Sequence, residues 1–416
     1  MRYNTHTLRC GLRIIHQPVA APVVYCGYAI NGGSRDEEPG DYGLAHFCEH
    51  MTFKGTAKRR SWHILNALER VGGDRNACTN KEDTVYYAAI LAEHLPRAVD
   101  LLSDIVFHSQ YPQAEIDKEA TVICEEIESY NDSPAELIYD EFDNALFHGH
   151  ALGHHILGTA ERVRSFTTSD ALRFTRQFYR PENMVFFVSG DVSFPRLVRL
   201  LERATADLPD ASPLMPDSEA PAAILPPFEA RTIHEERSTH QAHVLLGTRA
   251  YSIHHPLRMP LYLLNNMMGG PGMNSRLNMA LRERRGLVYA VESSMANYSD
   301  TGVWTTYFGC DLHDVDRCLK AVRTEQDKLR DHLLTPHQLS AAKRQLKGQI
   351  GVSCDSRESF TLGFGKSFLH YGWESDVDKL YARIDDITAE QVMQTAQELF
   401  DPAHELVLCY GDSTQR

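Results

Sequence analysis

Two histidines and a glutamate fall within five consecutive residues, His46-Phe47-Cys48-Glu49-His50. In a helix, residues four apart lie one turn above each other on a single face. His46 and His50 can then close on one metal ion, with Glu49 beside them. A hydrolytic zinc ion needs such convergent ligands and a nearby base for its water. The order H-x-x-E-H is the inverse of the zinc-peptidase signature H-E-x-x-H. With 21 histidines in the chain, a surface helix that happens to carry two of them is the ordinary alternative. Phe47 and Cys48 oppose it, because apolar neighbours point to a buried helix, where His and Glu require partners or a metal.

A catalytic zinc usually takes three protein ligands and leaves one position for water. A helix predicted from Pro112 to about Tyr130, stopping near Asp132-Ser133-Pro134, offers Glu115, Glu119, Glu125, Glu126 and Glu128. Glu119 and Glu126 are close to two whole turns apart and share a face, whereas Glu125 points about 100° away from Glu126. Spacing alone leaves the choice among these carboxylates open.

The elements that must position these groups occur twice. Residues 167–191 read TTSDALRFTRQFYRPENMVFFVSGD, and residues 388–412 read TAEQVMQTAQELFDPAHELVLCYGD. Each has a Thr at a helix start, an amphipathic helix, a Pro, an apolar strand and Gly-Asp. The same offset aligns a strand at Val23–Ile30 with one beginning at Val244, which points to duplication of a whole domain. A Pro- and Ala-rich stretch at 208–228 reads as a stiff linker. The expected domains are therefore 1–207, holding the metal, and 229–416, without it. His46 and His50 map near Met267 and Pro271, where the second half has no ligand pair. A helix capped by Ser61 with Trp62, Leu65 and Leu68 inward, a strand at 84–90 and a helix at 95–107 complete an α+β reading: two sheets covered by helices.

Composition narrows the partners. A net charge of -14 argues against nucleic acid. No apolar run is long enough to span a membrane, and the amino terminus lacks the apolar core of a secretory signal. Nine dispersed cysteines without a C-x-x-C pair suit reduced thiols and the cytoplasm. Cys48 and Cys78 read as small buried packing residues, not ligands.

The chain resembles the insulinase-like, or pitrilysin-type, zinc metallopeptidases, and within them the short members that include mitochondrial and bacterial processing peptidases. The resemblance rests on GLAHFCEHMTFKGT, GGDRNACTNKEDTVYYA, EATVICEEIESYNDSP, LGHHILGT and MMGGPGMNSRLNMALRERRGLVYA, in order along nearly the whole chain. It implies a clamshell of two homologous domains with one zinc ion per chain, held by His46, His50 and Glu126. It implies Glu49 as general base and Glu119 in a supporting role behind the ligands. Asn76 and Ala77 match an edge strand that pairs with substrate backbone. Arg282 and Tyr289 match a pair that the second domain contributes to catalysis and substrate binding.

The activity implied is an endopeptidase for unfolded peptides or presequence-like segments, working as a homodimer or with a homologous partner subunit. Two other readings compete: a maturation protease dedicated to one small precursor, and a non-catalytic partner subunit. The intact zinc motif opposes the second. The histidines at 148, 150, 154 and 155 fit no tight metal spacing and read as a solvated or chamber-lining loop. Gly269-Gly270-Pro271-Gly272 lacks the Lys-Ser/Thr of a phosphate loop and reads as a mobile loop beside the substrate path.

Overall fold

The computed structural model describes residues 3–211, 225–237, 239–372 and 376–411. Two compact units form, each a sheet covered by helices. The first comprises Met1–Ser129, His154–Pro221 and Ser353–Asp376. Its strands are β1 (Asn4–Thr7), β2 (Arg13–Pro18), β3 (Val23–Ile30), β4 (Asp74–Thr79), β5 (Thr84–Leu91) and β6 (Met184–Gly190). They lie in the order β1-β2-β6-β3-β5-β4, so β4 is an edge. Among the described residues of this sheet, only the β2–β6 pairing is parallel.

Strand β6 reads MVFFVSG and is buried at every residue, the apolar run expected of a strand covered on both faces. Its side chains alternate between two cores. Phe186 and Val188 join the large core with Phe47, Met51, Leu102 and Ile123. Val185 and Phe187 face the other way, against Phe364 and Leu369 of the helix Arg357–Tyr371. That helix sits so close that a Cβ on Gly365 would lie 2.6 Å from the Phe187 ring.

The second unit comprises Tyr130–Gly153, Ala222–Val352 and Val377–Arg416. Its strands β7 (Arg231–Glu235), β8 (Ala242–Ala250), β9 (Val288–Asn297), β10 (Gly302–Cys310) and β11 (Leu406–Tyr410) lie in the order β7-β11-β8-β10-β9. Apart from β1, this repeats the first sheet: β7, β11, β8, β10 and β9 take the places of β2, β6, β3, β5 and β4. The predicted α+β class and internal repeat are both present. The two repeated Thr residues are helix N-caps, Thr167 before Thr168–Phe178 and Thr388 before Ala389–Leu399, each with a capping box.

Two helices cross the division that the sequence places at 208–228. Pro134–Leu146 packs Ile138, Phe142 and Leu146 on Leu245, Leu406 and Leu408 of the second sheet. Arg357–Tyr371 covers the first sheet. Residues 212–224 of the expected linker lie outside the described residues.

The helix Ser61–Glu69 corrects the sequence reading. Ile64 and Leu68 are its buried residues, while Trp62 and Leu65 are 57% and 40% exposed. Arg60, not Ser61, is the N-cap, and its side chain makes no capping hydrogen bond. The Arg70 guanidinium lies over the Trp62 ring, 5.0 Å from its centroid.

Candidate metal centre

The inverted motif lies in the helix Leu44–Thr52, in which Leu44, Ala45, Phe47, Cys48 and Met51 are all buried. Their burial fixes the helix rotation and turns His46 and His50 to one side, with ring centroids 4.7 Å apart. The helix Gln113–Asn131 buries Ile116, Ala120, Ile123 and Ile127, and this presents Glu119 and Glu126 to the same side. Glu126 Oε1 is 3.7 Å from His46 Nε2, and Glu126 Oε2 is 3.3 Å from His50 Nε2. One ligand atom from each of the three residues lies within 4.8 Å of the other two. Tetrahedral zinc with bonds of ~2.0–2.1 Å spaces its ligands ~3.4 Å apart. The donor set and its spacing therefore fit zinc.

Glu119 stands behind the cluster. Its Oε1 is 3.0 Å from His50 Nδ1, and its Oε2 is 2.5 Å from Lys54 Nζ. This holds the His50 ring with Nε2 towards Glu126. His46 has no such support: its Nδ1 is buried without a hydrogen-bond partner among the described residues. Glu49 is held by the hydroxyl of Thr79, which donates to Oε2 at 2.5 Å.

Burial, reinforced by the neighbouring His50, pushes the His46 imidazole down to about 4. Burial also opposes charge on His50, but hydrogen bonds to Glu119 and Glu126 outweigh it and raise that imidazole to about 9. The hydrogen bond to His50 is the main influence holding Glu126 below the ordinary carboxylate range. For Glu119 burial is the largest influence and acts upward, but its bonds to His50 and Lys54 prevail and lower it. Burial raises Glu49, against the Thr79 hydrogen bond. Positive charge is thus favoured on His50 and disfavoured on His46, and Glu49 is the carboxylate with the greatest proton affinity of the set.

Asn76 and Ala77 lie on β4, opposite Tyr87 and Tyr86 of β5. No further strand pairs with β4 among the described residues. Thr79, which grips Glu49, ends the same strand. Arg282 and Tyr289 belong to the second unit and adjoin each other there, with the guanidinium carbon 5.5 Å from the ring centroid. Arg282 lies in a π-helix, Asn278–Glu283, and Tyr289 is 81% exposed. The second-unit helix Arg258–Gly269 reads RMPLYLLNNMMG and carries no ligand pair.

Sequence reasoning missed Thr79, Lys54 and Glu37. Glu37 and His154 are buried and lie 3.0 Å apart. His150 is also buried, 3.9 Å from Asp300. The loop read as solvated or chamber-lining therefore buries His150 and His154. All nine cysteines are free; Cys48 is fully buried in the core, whereas Cys78, expected to be buried, is only part-buried.

The family described as Insulinase (Peptidase family M16) matches residues 14–160, and Peptidase M16 inactive domain matches residues 165–346. A Bacillus subtilis (strain 168) protein named uncharacterized zinc protease YmxG is 32% identical over 405 residues, covering 97% of each chain. The chain belongs to the M16 peptidase family. An uncharacterized zinc protease of Streptomyces coelicolor is 34% identical over 402 residues, covering 94% of this chain and 86% of its own. The fold matches the crystal structure of a protease from Helicobacter pylori with a TM-score of 0.88 at 22% identity, over 98% of this chain and 99% of that one. A Pseudomonas fluorescens structure titled as a peptidase M16 inactive domain also gives a TM-score of 0.88, at 20% identity over 99% and 98% of the chains. Among the described residues, no helix of this M16 chain is long and apolar enough to cross a membrane.

Proposed function

We propose that this M16 protein is a zinc-dependent endopeptidase that cleaves unfolded peptides or presequence-like segments, with one zinc ion per chain. The observation that carries this reading is the convergence of His46, His50 and Glu126 beside Glu49. Zinc bound by these three residues supplies Lewis acidity towards water and towards a carbonyl oxygen. Glu49 accepts the proton from the attacking water on its carboxylate and returns it to the leaving amine nitrogen. Thr79 fixes that carboxylate, while Glu119 and Lys54 fix the His50 ring.

Substrate binds extended as an added strand on β4, near Asn76 and Ala77. Backbone hydrogen bonds then supply affinity with little demand on sequence. The strand that receives the peptide also carries Thr79, so docking and base orientation share one element. Arg282 and Tyr289 are assigned to substrate contact and to the charge that develops on the scissile carbonyl oxygen. A cytoplasmic homodimer, or a pairing with a homologous subunit, completes the proposal.

The test is digestion of an unstructured peptide library read by mass spectrometry. Cleavage should disappear with a chelator and return with zinc. Full cleavage in excess chelator, by protein shown to contain no metal, contradicts the reading. Cleavage of no library member by zinc-loaded protein would restrict it to a protease with one dedicated client.

A further inference from the structure

Glu37 lies outside the zinc motif, yet it is bound to the helix that carries the motif. Its side chain is completely buried. Oε2 accepts from the backbone N–H of Gly43 at 2.9 Å, and Oε1 accepts from Ala45 N–H at 2.7 Å. His154 Nε2 lies 3.0 Å from Oε2, and the Tyr42 ring stacks on His154 at 3.9 Å. The His154 carbonyl in turn accepts from Lys81 Nζ. The same loop meets the helix start backbone to backbone: a Cβ on Gly158 would lie 2.3 Å from Tyr42 O, and one on Gly43 2.8 Å from Leu157 O.

The helix Leu44–Thr52 lacks a cap of its own. Its N-cap, Gly43, has φ +98° and no side chain, and its first turn contains no acidic residue. His46 is the third residue of that turn. The first N–H groups of the helix have no partner within it, and the Glu37 oxygens accept from two N–H groups at its start. Its partner contacts with the loop 154–158 also fix the axial position of the helix.

We propose that Glu37 is a positioning residue for the metal centre: its two carboxyl oxygens, accepting from the N–H groups of Gly43 and Ala45, and its contact with His154 hold the His46–His50 helix in place. This assignment rests on the zinc reading above. It separates acceptor pairing from shape. Glu37→Gln keeps the shape but points an amide donor at N–H donors. Glu37→Asp keeps both oxygens and loses a methylene.

The experiment measures zinc dissociation constants by chelator competition on the full chain, with circular dichroism as the check on folding. Glu37→Gln should weaken zinc binding by roughly tenfold to a hundredfold, the range for groups that orient ligands. It should lower kcat while leaving KM near wild type, since β4 is untouched. Glu37→Asp should retain more zinc affinity than Glu37→Gln. An equal or tighter affinity for Glu37→Gln than for Glu37→Asp, or wild-type affinity in Glu37→Gln, overturns the assignment. Should Glu37→Gln fail to fold, Glu37→Asp decides: a loss within about tenfold supports the assignment and a larger loss overturns it. Wild-type protein that binds no zinc refutes the peptidase reading itself, whereas zinc-binding wild type with an unaffected Glu37→Gln refutes the positioning role alone.

Discussion

Replacing Glu119 by Gln removes the group that connects Lys54 to the His50 ring. The wild-type carboxylate receives His50 Nδ1 at 3.0 Å and Lys54 Nζ at 2.5 Å, and its side chain is only 9% exposed. An amide of the same shape has one oxygen for two donors, so its NH2 group must face either the imidazole N–H or the ammonium. Hydrogen bonds to charged groups contribute ~1.5–3 kcal/mol each, and one is lost here. The lost constraint falls on His50, whose Nε2 is then free to turn from Glu126. Groups that orient metal-bound histidines typically change metal affinity by roughly tenfold to a hundredfold, equivalent to ~1.4–2.7 kcal/mol. Chelator competition on Glu119→Gln and wild type measures this directly, and thermal unfolding of the metal-free proteins reports the fold separately. A folded Glu119→Gln with zinc affinity indistinguishable from wild type would refute the argument that Glu119 acts through His50.

Three further outcomes follow from the same geometry. Glu49→Gln should keep zinc affinity while peptide cleavage falls by about 10²–10⁴-fold, the usual contribution of a general base; single-turnover kinetics on an unstructured peptide reads it. Gly158→Ala should lower the thermal midpoint, because Gly158 has φ +69° and no room towards Tyr42 O; a cost above ~1 kcal/mol is expected. Asp83 is held below the ordinary carboxylate range: burial acts upward, but His370 and Lys366 prevail. Its contribution to stability is therefore complete above the unfolded value of about 3.9 and is lost as pH falls through the lower folded value. Asp83→Asn should flatten the acid side of a urea-midpoint profile below about pH 5, and an unchanged profile there would remove Asp83 from the acid response.

The motif at 46–50 was legible because its chemistry is local. One helical turn brings the imidazoles together whatever the rest of the chain does. The choice of Glu126 over Glu119 was not local, since both share a helix face, and the structure uses both on His50, one on each ring nitrogen. The duplicated sheet was visible through Thr167 and Thr388, because caps and apolar strands recur at a fixed offset.

Long-range pairing defeated sequence reasoning elsewhere. Glu37 and His154 are 117 residues apart, so nothing local marked the loop around His154 as interior. The helices Pro134–Leu146 and Arg357–Tyr371 join the other unit because their apolar faces fit sheets formed by distant strands. At Ser61–Glu69 the apolar residues Trp62 and Leu65 stay exposed while Ile64 and Leu68 are buried, a choice between neighbouring faces that local spacing does not make.

The most direct test is an anomalous difference map at the zinc edge from crystals grown with zinc. One peak per chain is predicted, bonded to the Nε2 atoms of His46 and His50 and to the Glu126 carboxylate. A map from zinc-replete crystals with no peak among those three side chains would contradict the account.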